Sequence, residues 1–246
     1  MPAITSSRYM VTCGWENVPH LDPQTQQELL DSTPPYLRDA RSKGTPSLGA
    51  GAIYPFQESD ILVDPFAIPD FWPRGFGLDV GWKKTAALFG AHDRDTDTIY
   101  IYAEHYQGEM PPSTHAAAIR ARGAWLPGVI DPASRGRQQR DGQQLIHDYR
   151  ELGLDLLPAT NSVESGLYAV LERFASGRLK IFRTCQNTVA EWRLYRRDEK
   201  GKVVKEFDHA MDALRYLIVS GVERMIIKPV KRVGTGPRRS DRYVGY

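Results

Sequence analysis

Residues 207–218 read FDHAMDALRYLI and combine a helical apolar repeat with ionisable side chains. Met211, Leu214 and Ile218 follow one another at spacings of three and four, which predicts a helix with one buried face. His209 and Asp212 are three residues apart and project together from a different face of that helix. The stretch therefore predicts a packed helix that presents an imidazole beside a carboxylate. Asp208, just before them, is either a further acid of this group or the N-cap of the helix.

Two more aspartates belong to or directly follow predicted strands. Asp79 lies inside FGLDVG (residues 76–81), an apolar segment with glycines on both sides of the acid. An ionised carboxylate in such a segment needs a cation, a hydrogen-bond donor or a raised pKa. Asp131 follows GVI (residues 128–130) at the predicted carboxyl edge of a sheet, where open α/β folds bind ligands. Either acid, taken alone, is equally compatible with an ordinary turn residue.

The order of the predicted elements indicates an α/β fold. FGLDVG, TAALFGAH (residues 85–92) and TIYIYAEHY (residues 98–106) are apolar runs separated by turn residues, which predicts an antiparallel meander. Helices and strands then alternate up to a last helix over residues 208–222. Later strands are expected at 128–130, 154–157 and 179–182, and further helices at 113–122, 143–152, 163–175 and 187–195. These elements predict a central mixed sheet of five or more strands flanked by helices.

Composition excludes several classes of protein. The 246 residues are 41% hydrophobic and 25% charged, with a net charge of +2, as in an ordinary globular domain. No apolar run approaches the roughly 20 residues of a membrane helix, and the N-terminus lacks a signal-peptide pattern. Cys13 and Cys185 cannot form a disulfide framework and indicate a reducing compartment. We therefore expect neither secretion nor membrane insertion.

The chain divides into three parts by its sequence pattern. Residues 1–70 are rich in proline, and their best-marked helix begins after Asp22. Residues 71–225 carry the regular succession of strands and helices. Residues 226–246 form a basic tail with six Lys and Arg residues against one Asp. Such a tail can contact phosphates or can simply keep the chain soluble.

The aspartates and the histidine together form one set of metal-ligand types. Carboxylate oxygens with an imidazole suit Mg²⁺ or Mn²⁺ better than a thiolate-rich zinc site does. Two such ions can activate a water and stabilise the leaving oxygen in phosphodiester hydrolysis. The catalytic carboxylates are predicted to be Asp79, Asp131 and Asp212, and the metal ligands are these three together with His209 and Asp208.

With these motifs the sequence resembles the C-terminal nuclease domain of the large terminase subunit of tailed bacteriophages, an RNase H-like and RuvC-like family. The resemblance runs from about residue 10 to residue 222 and is strongest in GLDVGWKKTAALFGAHD (77–93), VIDPASRGRQQRDG (129–142) and EFDHAMDALRY (206–216). It implies an RNase H-like fold and a metal-dependent endonuclease that cuts concatemeric double-stranded DNA in the host cytoplasm. It also implies two partners, a portal protein and a small terminase subunit.

The resemblance assigns roles to individual residues. Asp79 matches the first metal-bridging aspartate, and Asp131 matches the acid at the strand end. Asp212 and His209 match the ligand pair on the last helix, so that two Mg²⁺ or Mn²⁺ ions are implied. Basic residues are candidates for holding the DNA backbone, although each could equally be an ordinary solvated charge. These candidates are Lys84, Arg135, Arg137 and, within the basic stretch 193–205, Arg193, Arg196, Arg197 and Lys202.

One departure from a full-length large terminase is the absence of a packaging ATPase site. The motif G-x-x-x-x-G-K-[S/T] does not occur in the sequence. We therefore expect residues 1–70 to be a linker and the end of an ATPase domain that packs on the nuclease domain. We also expect a chain that is monomeric in isolation. Two other functions stay open, a RuvC-type junction resolvase on the same fold and a non-catalytic module that docks DNA or a portal.

Overall fold

The structure is a computed structural model, and it describes residues 14–15, 18, 21–32, 42, 51–132, 141–160, 162–198 and 200–229. Arg135, Arg137 and the basic tail beyond residue 229 lie outside the described residues. The described helices and strands are, in chain order, α1 (Pro23–Ser32), α2 (Glu58–Ile61), β1 (Leu62–Val63), β2 (Arg74–Asp79), β3 (Thr85–Asp93), β4 (Thr98–Gln107), α3 (Pro112–Ala121), β5 (Pro127–Ile130), α4 (Asp141–Glu151), β6 (Asp155–Pro158), α5 (Val163–Ala175), β7 (Leu179–Phe182), α6 (Gln186–Leu194) and α7 (His209–Tyr216).

The strands form one mixed sheet in the order β1-β7-β4-β3-β2-β5-β6. Strands β2, β3 and β4 pair antiparallel, which confirms the predicted meander. The other pairs, β1 with β7, β7 with β4, β2 with β5 and β5 with β6, are parallel. Flanking helices complete the predicted α/β fold. Strand β1 was not predicted from the sequence, because its two residues show no alternation that distinguishes them from a loop.

Both faces of the sheet are buried, which explains why β3 is apolar along most of its length. Because successive side chains of a strand point to opposite faces, Leu88 packs into one core and Phe89 into the other. The first core includes residues of α5, α6 and α7, and the second includes residues of α3 and α4. The sheet is therefore the middle of three layers, and α7 lies on the first face.

Helix α7 crosses the sheet directly over β2. The side chains of Met211 and Leu214 are buried there, as their spacing predicted. Gly77 of β2 faces the backbone carbonyl of Ala213, and a Cβ atom on Gly77 would overlap that oxygen. The α-helix ends at Tyr216, earlier than predicted, and continues as a π-helical turn and a short 3₁₀ turn up to residue 224. A π turn holds one extra residue, so it changes which side chains face the sheet after α7.

Part of the segment 51–63 packs on this domain. Ile53, Tyr54 and Leu62 are buried in the first core, and β1 pairs with Ile181 and Phe182 of β7. Whether residues 1–70 derive from an ATPase domain stays a prediction. Among the described residues, no helix is both long and apolar enough to cross a membrane.

Candidate metal centre

Asp79 and Asp131 lie side by side at one edge of the sheet. Strands β2 and β5 run parallel, and Leu78 pairs with Ile130 immediately before the two acids. The Asp131 backbone N–H also donates to the Leu78 carbonyl at 3.0 Å. Asp79 is the last residue of β2 and Asp131 directly follows β5, so both acids lie at the carboxyl ends of neighbouring parallel strands. The sequence predicted this position for Asp131.

Helix α7 brings His209 against this edge. Its Nδ1 lies 2.9 Å from Oδ2 of Asp79, although the two residues are 130 positions apart in the chain. Asp79 is buried, with 8% of its surface exposed, whereas His209 is partly exposed. The close packing of α7 over Gly77 sets this contact, because Gly77 is two residues before Asp79 on the same strand.

The surroundings of Asp79 disfavour its ionised form. Burial raises the pKa of Asp79, and the carboxylates of Asp212 and Asp131 raise it further, while His209 opposes the change. The resulting pKa is about 6, above the ordinary value of 3.8. A buried acid beside two other acids is most stable when a cation lies among them. This observation favours a cation at the site.

Asp212 and Asp208 contact cationic side chains of the protein. Oδ1 of Asp212 accepts a hydrogen bond from Nη2 of Arg215 at 3.0 Å, and its Oδ2 lies 2.9 Å from Nζ of Lys205. The same Nζ lies 2.9 Å from Oδ2 of Asp208. The Asp208 carbonyl begins α7 by accepting the Asp212 N–H, but the Asp208 side chain does not cap the helix. Both carboxylates are thus held by ion pairs.

The donor types at this site fit a hard divalent cation, but the ligands are not assembled into a cage. In the part of the chain that the structure describes, no three His, Cys, Asp or Glu side chains are grouped closely enough to hold one ion. The ion pairs of Asp208 and Asp212 account for part of this arrangement, because Lys205 takes one oxygen of each carboxylate. Metal binding at these oxygens would therefore require the ammonium group to move.

Sequence reasoning missed a buried glutamate that holds α7 in place. Glu191 of α6 is 3% exposed. One of its oxygens accepts the Tyr106 hydroxyl hydrogen and the other accepts the backbone N–H of Ala210, both at 2.5 Å. Glu191 stands three residues after the buried Thr188. This helical spacing was the one signal in the sequence that it faces inward.

A second missed acid holds α6 in the same way. Glu104 of β4 accepts the backbone N–H groups of Asn187 and Thr188, at 2.9 Å and 2.8 Å, together with polar hydrogens of their side chains. Carboxylates are favourable at helix N-termini, where backbone N–H groups have no partner within the helix. The meander strand β4 therefore positions α6, and α6 positions the helix that carries His209 and Asp212.

The predicted DNA-contacting residues fall into two groups. Lys84, Arg196 and Lys202 are exposed. Arg193 pairs with a glutamate of α2 at 2.6 Å and Arg197 pairs with a glutamate of α5 at 2.7 Å, so each also joins two parts of the domain. The structure thus brings together Asp79, Asp131, His209, Asp212 and Asp208, and it places these basic residues outside that group. Their contact with DNA stays a prediction.

A mixed sheet with an antiparallel meander, acids after two adjacent central strands and an acid-bearing helix packed across them defines the RNase H-like class of proteins. The chain belongs to one family within this class. Residues 76–220 match the family model of the terminase RNase H-like domain.

Relatives and solved structures agree with this membership. Over 220 residues the chain is 30% identical to the large terminase subunits of Enterobacteria phage LP7 and Salmonella phage P22. The match covers 86% of this chain but only 46% and 44% of those proteins. The P22 large terminase nuclease domain superposes with a TM-score of 0.69 at 30% identity, over 74% of this chain and 97% of that one. The large terminase of a thermophilic bacteriophage, at 18% identity and a TM-score of 0.61, shares the fold; the match covers 85% of this chain and 55% of that one.

Proposed function

We propose that this chain is the nuclease part of a phage large terminase and that it hydrolyses phosphodiester bonds of double-stranded DNA. The observation that carries the proposal is the convergence of Asp79 and Asp131, at adjacent strand ends, with His209 and Asp212 of α7. This convergence occurs in a chain of the terminase RNase H-like family. These side chains are of the types that hold hard metal ions in phosphodiester hydrolysis.

Each acidic or imidazole side chain has a role in this proposal. Asp79, Asp131, Asp212 and His209, with Asp208 beside them, would hold two Mg²⁺ or Mn²⁺ ions. When bound, these ions supply an activated water and stabilise the departing 3′ oxygen. With Nδ1 turned toward Asp79, the histidine would bind a metal through Nε2.

The surrounding residues orient these ligands. The Arg215 guanidinium is 2% exposed and fixes one oxygen of Asp212. The burial of Asp79 excludes bulk water from the floor of the site. Exposed basic residues, Lys84, Arg196 and Lys202 among them, would contact the DNA backbone around the site. Such contacts position the duplex without reading its sequence.

The biological setting is also proposed from the family. The chain spans less than half of the length of the LP7 and P22 subunits that it matches. We propose that it cuts concatemeric phage DNA into genome lengths, within an assembly that includes a portal protein and a small terminase subunit. We propose that the domain is monomeric in isolation.

The test is cleavage of supercoiled plasmid with Mg²⁺, Mn²⁺ or a chelator. We expect nicking and linearisation with either metal, none with chelator, and none from Asp79→Asn or Asp131→Asn. The matched control is Asp60→Asn. Asp60 is exposed and lies in α2, next to β1, which is the edge strand on the opposite side of the sheet from β5 and β6. This variant should cleave like the wild type. A preference for four-way junctions over linear duplex would favour a resolvase instead. A folded wild type that binds DNA but is inert with both metals would favour a docking module.

A further inference from the structure

Lys205 takes the position between two carboxylates of the candidate metal centre. Its Nζ is 2.9 Å from Oδ2 of Asp208 and 2.9 Å from Oδ2 of Asp212. The side chains of these acids are only 9% and 11% exposed, whereas that of Lys205 is 60% exposed. The ammonium group therefore reaches into the site from the solvent side.

Arg215, His209 and Lys205 differ in how easily each could leave the site. Arg215 is buried at 2% exposure, and its neighbour Gly166 has room for no Cβ because the Arg215 side chain lies against it. His209 belongs to the first turn of α7 and rests on Asp79. Lys205, by contrast, is exposed and has four rotatable side-chain bonds. Lys205 is therefore the cation that can leave without unfolding the site.

The backbone around Lys205 belongs to no helix or strand. A small hairpin precedes it, closed by the bridge between Arg197 and Val203 and by the hydrogen bond from the Val204 N–H to the Arg196 carbonyl. Lys205 lies beyond these pairs, in the irregular connection that leads to α7. The connection therefore joins a paired hairpin to the fixed N-terminus of the ligand-bearing helix.

We propose that Lys205 is a positioning residue that holds Asp208 and Asp212 in the metal-free protein and transfers its ammonium group to a DNA phosphate when a divalent ion takes those oxygens. The inference rests on the proposed function, because it assigns the same site a metal and a phosphodiester substrate. Two cations compete for the same carboxylate oxygens, and a phosphate offers the displaced ammonium group a new anionic partner. Metal and DNA binding then assist each other, because each favours the withdrawn position of Lys205.

The test is a calorimetric titration of Mn²⁺ into the whole chain without DNA. Lys205→Ala should bind Mn²⁺ on the order of tenfold more tightly than the wild type, because no ammonium group has to be displaced. Lys205→Arg, which keeps the charge, should bind close to the wild-type level. The matched control is Lys200→Ala, which removes the same charge from an exposed position on the preceding hairpin and should leave the affinity unchanged.

A second titration includes a short duplex whose phosphorothioate linkages resist cleavage. The DNA should tighten Mn²⁺ binding more in the wild type than in Lys205→Ala, which has no ammonium group to transfer. Equal Mn²⁺ affinity of the wild type and Lys205→Ala would overturn the inference and leave the nuclease proposal intact. Absence of Mn²⁺ binding by both folded proteins would overturn the two proposals together. If Lys205→Ala does not fold, Lys205→Met keeps the apolar stem and replaces it in both titrations.

Discussion

Gly77 of β2 lies against the backbone carbonyl of Ala213 in α7, with no room between them for a side chain. We expect Gly77→Ala to lift α7 from the sheet and to lower the free energy of unfolding by about 3 kcal/mol. The comparison variant is Gly201→Ala, where a Cβ meets no atom within 4 Å but φ is +75°. This variant should lose only about 1–2 kcal/mol. Urea unfolding of both variants tests the difference, and equal losses would show that the close contact is unimportant.

Asp79→Asn should stabilise the metal-free protein at alkaline pH. The pKa of Asp79 is about 6 in the folded state, above its ordinary value of 3.8. As the pH rises between these values the unfolded chain releases the proton first, so the acid lowers stability increasingly up to about pH 6 and fully above it. We expect the amide to raise the free energy of unfolding at pH 8 by about 1–3 kcal/mol.

Unfolding with chelator at pH 4 and pH 8 measures this effect. The gain should be present at pH 8 and much smaller at pH 4, where the carboxyl is protonated in the folded protein and about half ionised in the unfolded chain. Asp60→Asn, at an exposed position, should change stability by less than about 0.5 kcal/mol at either pH. A variant that is no more stable than the wild type at pH 8 would contradict the electrostatic description of the site.

Glu191→Ala should clearly lower the free energy of unfolding, although Glu191 is not one of the proposed metal ligands. It removes the acceptor for the buried Ala210 N–H and for the partly buried Tyr106 hydroxyl, and we expect a loss of about 2–4 kcal/mol in the free energy of unfolding. Tyr106→Phe removes one donor of this group and should cost about 1 kcal/mol. Glu191→Gln keeps an acceptor for the helix and should fall between the two. Thermal unfolding of the three variants checks this order, which would be wrong if Glu191→Ala were the mildest.

The His105–His115 pair should make the protein sensitive to acid. Nε2 of His105 lies 2.9 Å from Nδ1 of His115 in the interior. Burial and the neighbouring ring lower the pKa of His105 to about 4. Below about pH 6.5 the unfolded chain therefore binds a proton at His105 that the folded protein does not bind until about pH 4. The free energy of unfolding falls as the pH drops from about 6.5 to 4.

The expected loss from His105 across this range is about 2–3 kcal/mol. Denaturant unfolding from pH 7.5 down to 4.5 measures it, and His105→Gln should flatten the profile. His147→Gln, at an exposed histidine, should leave the profile unchanged. Parallel profiles for the wild type and His105→Gln would mean that other groups cause the acid sensitivity.

Sequence reasoning located the edge of the sheet and the helix that form the site. Asp131 follows an apolar run and Asp79 interrupts one, and a lone acid in either position can be noticed without any tertiary information. The spacing of Met211 and Leu214 fixed the buried face of α7 and hence the side from which His209 projects. These are local patterns, which a single sequence displays.

The contacts that support the site could not be predicted in this way. Glu191 reaches Ala210 and Glu104 reaches Thr188 only after three elements have packed together. Lys205 resembled the other residues of a basic stretch, and its pairing with two aspartates depends on how the connection before α7 turns. The periodicity of a sequence indicates which face of a helix or strand a side chain lies on, but it does not indicate which residue that side chain contacts.

The contact of His209 with Asp79 across 130 residues has a consequence for synthesis on the ribosome. A nascent chain carries Asp79 and Asp131 well before α7 has emerged, because α7 is the last α-helix in the described order. Contacts between distant parts of a chain form only when the later part is available. A polypeptide that has not yet reached α7 therefore lacks His209 and Asp212, and the proposed nuclease becomes able to cut DNA only after α7 has been synthesised.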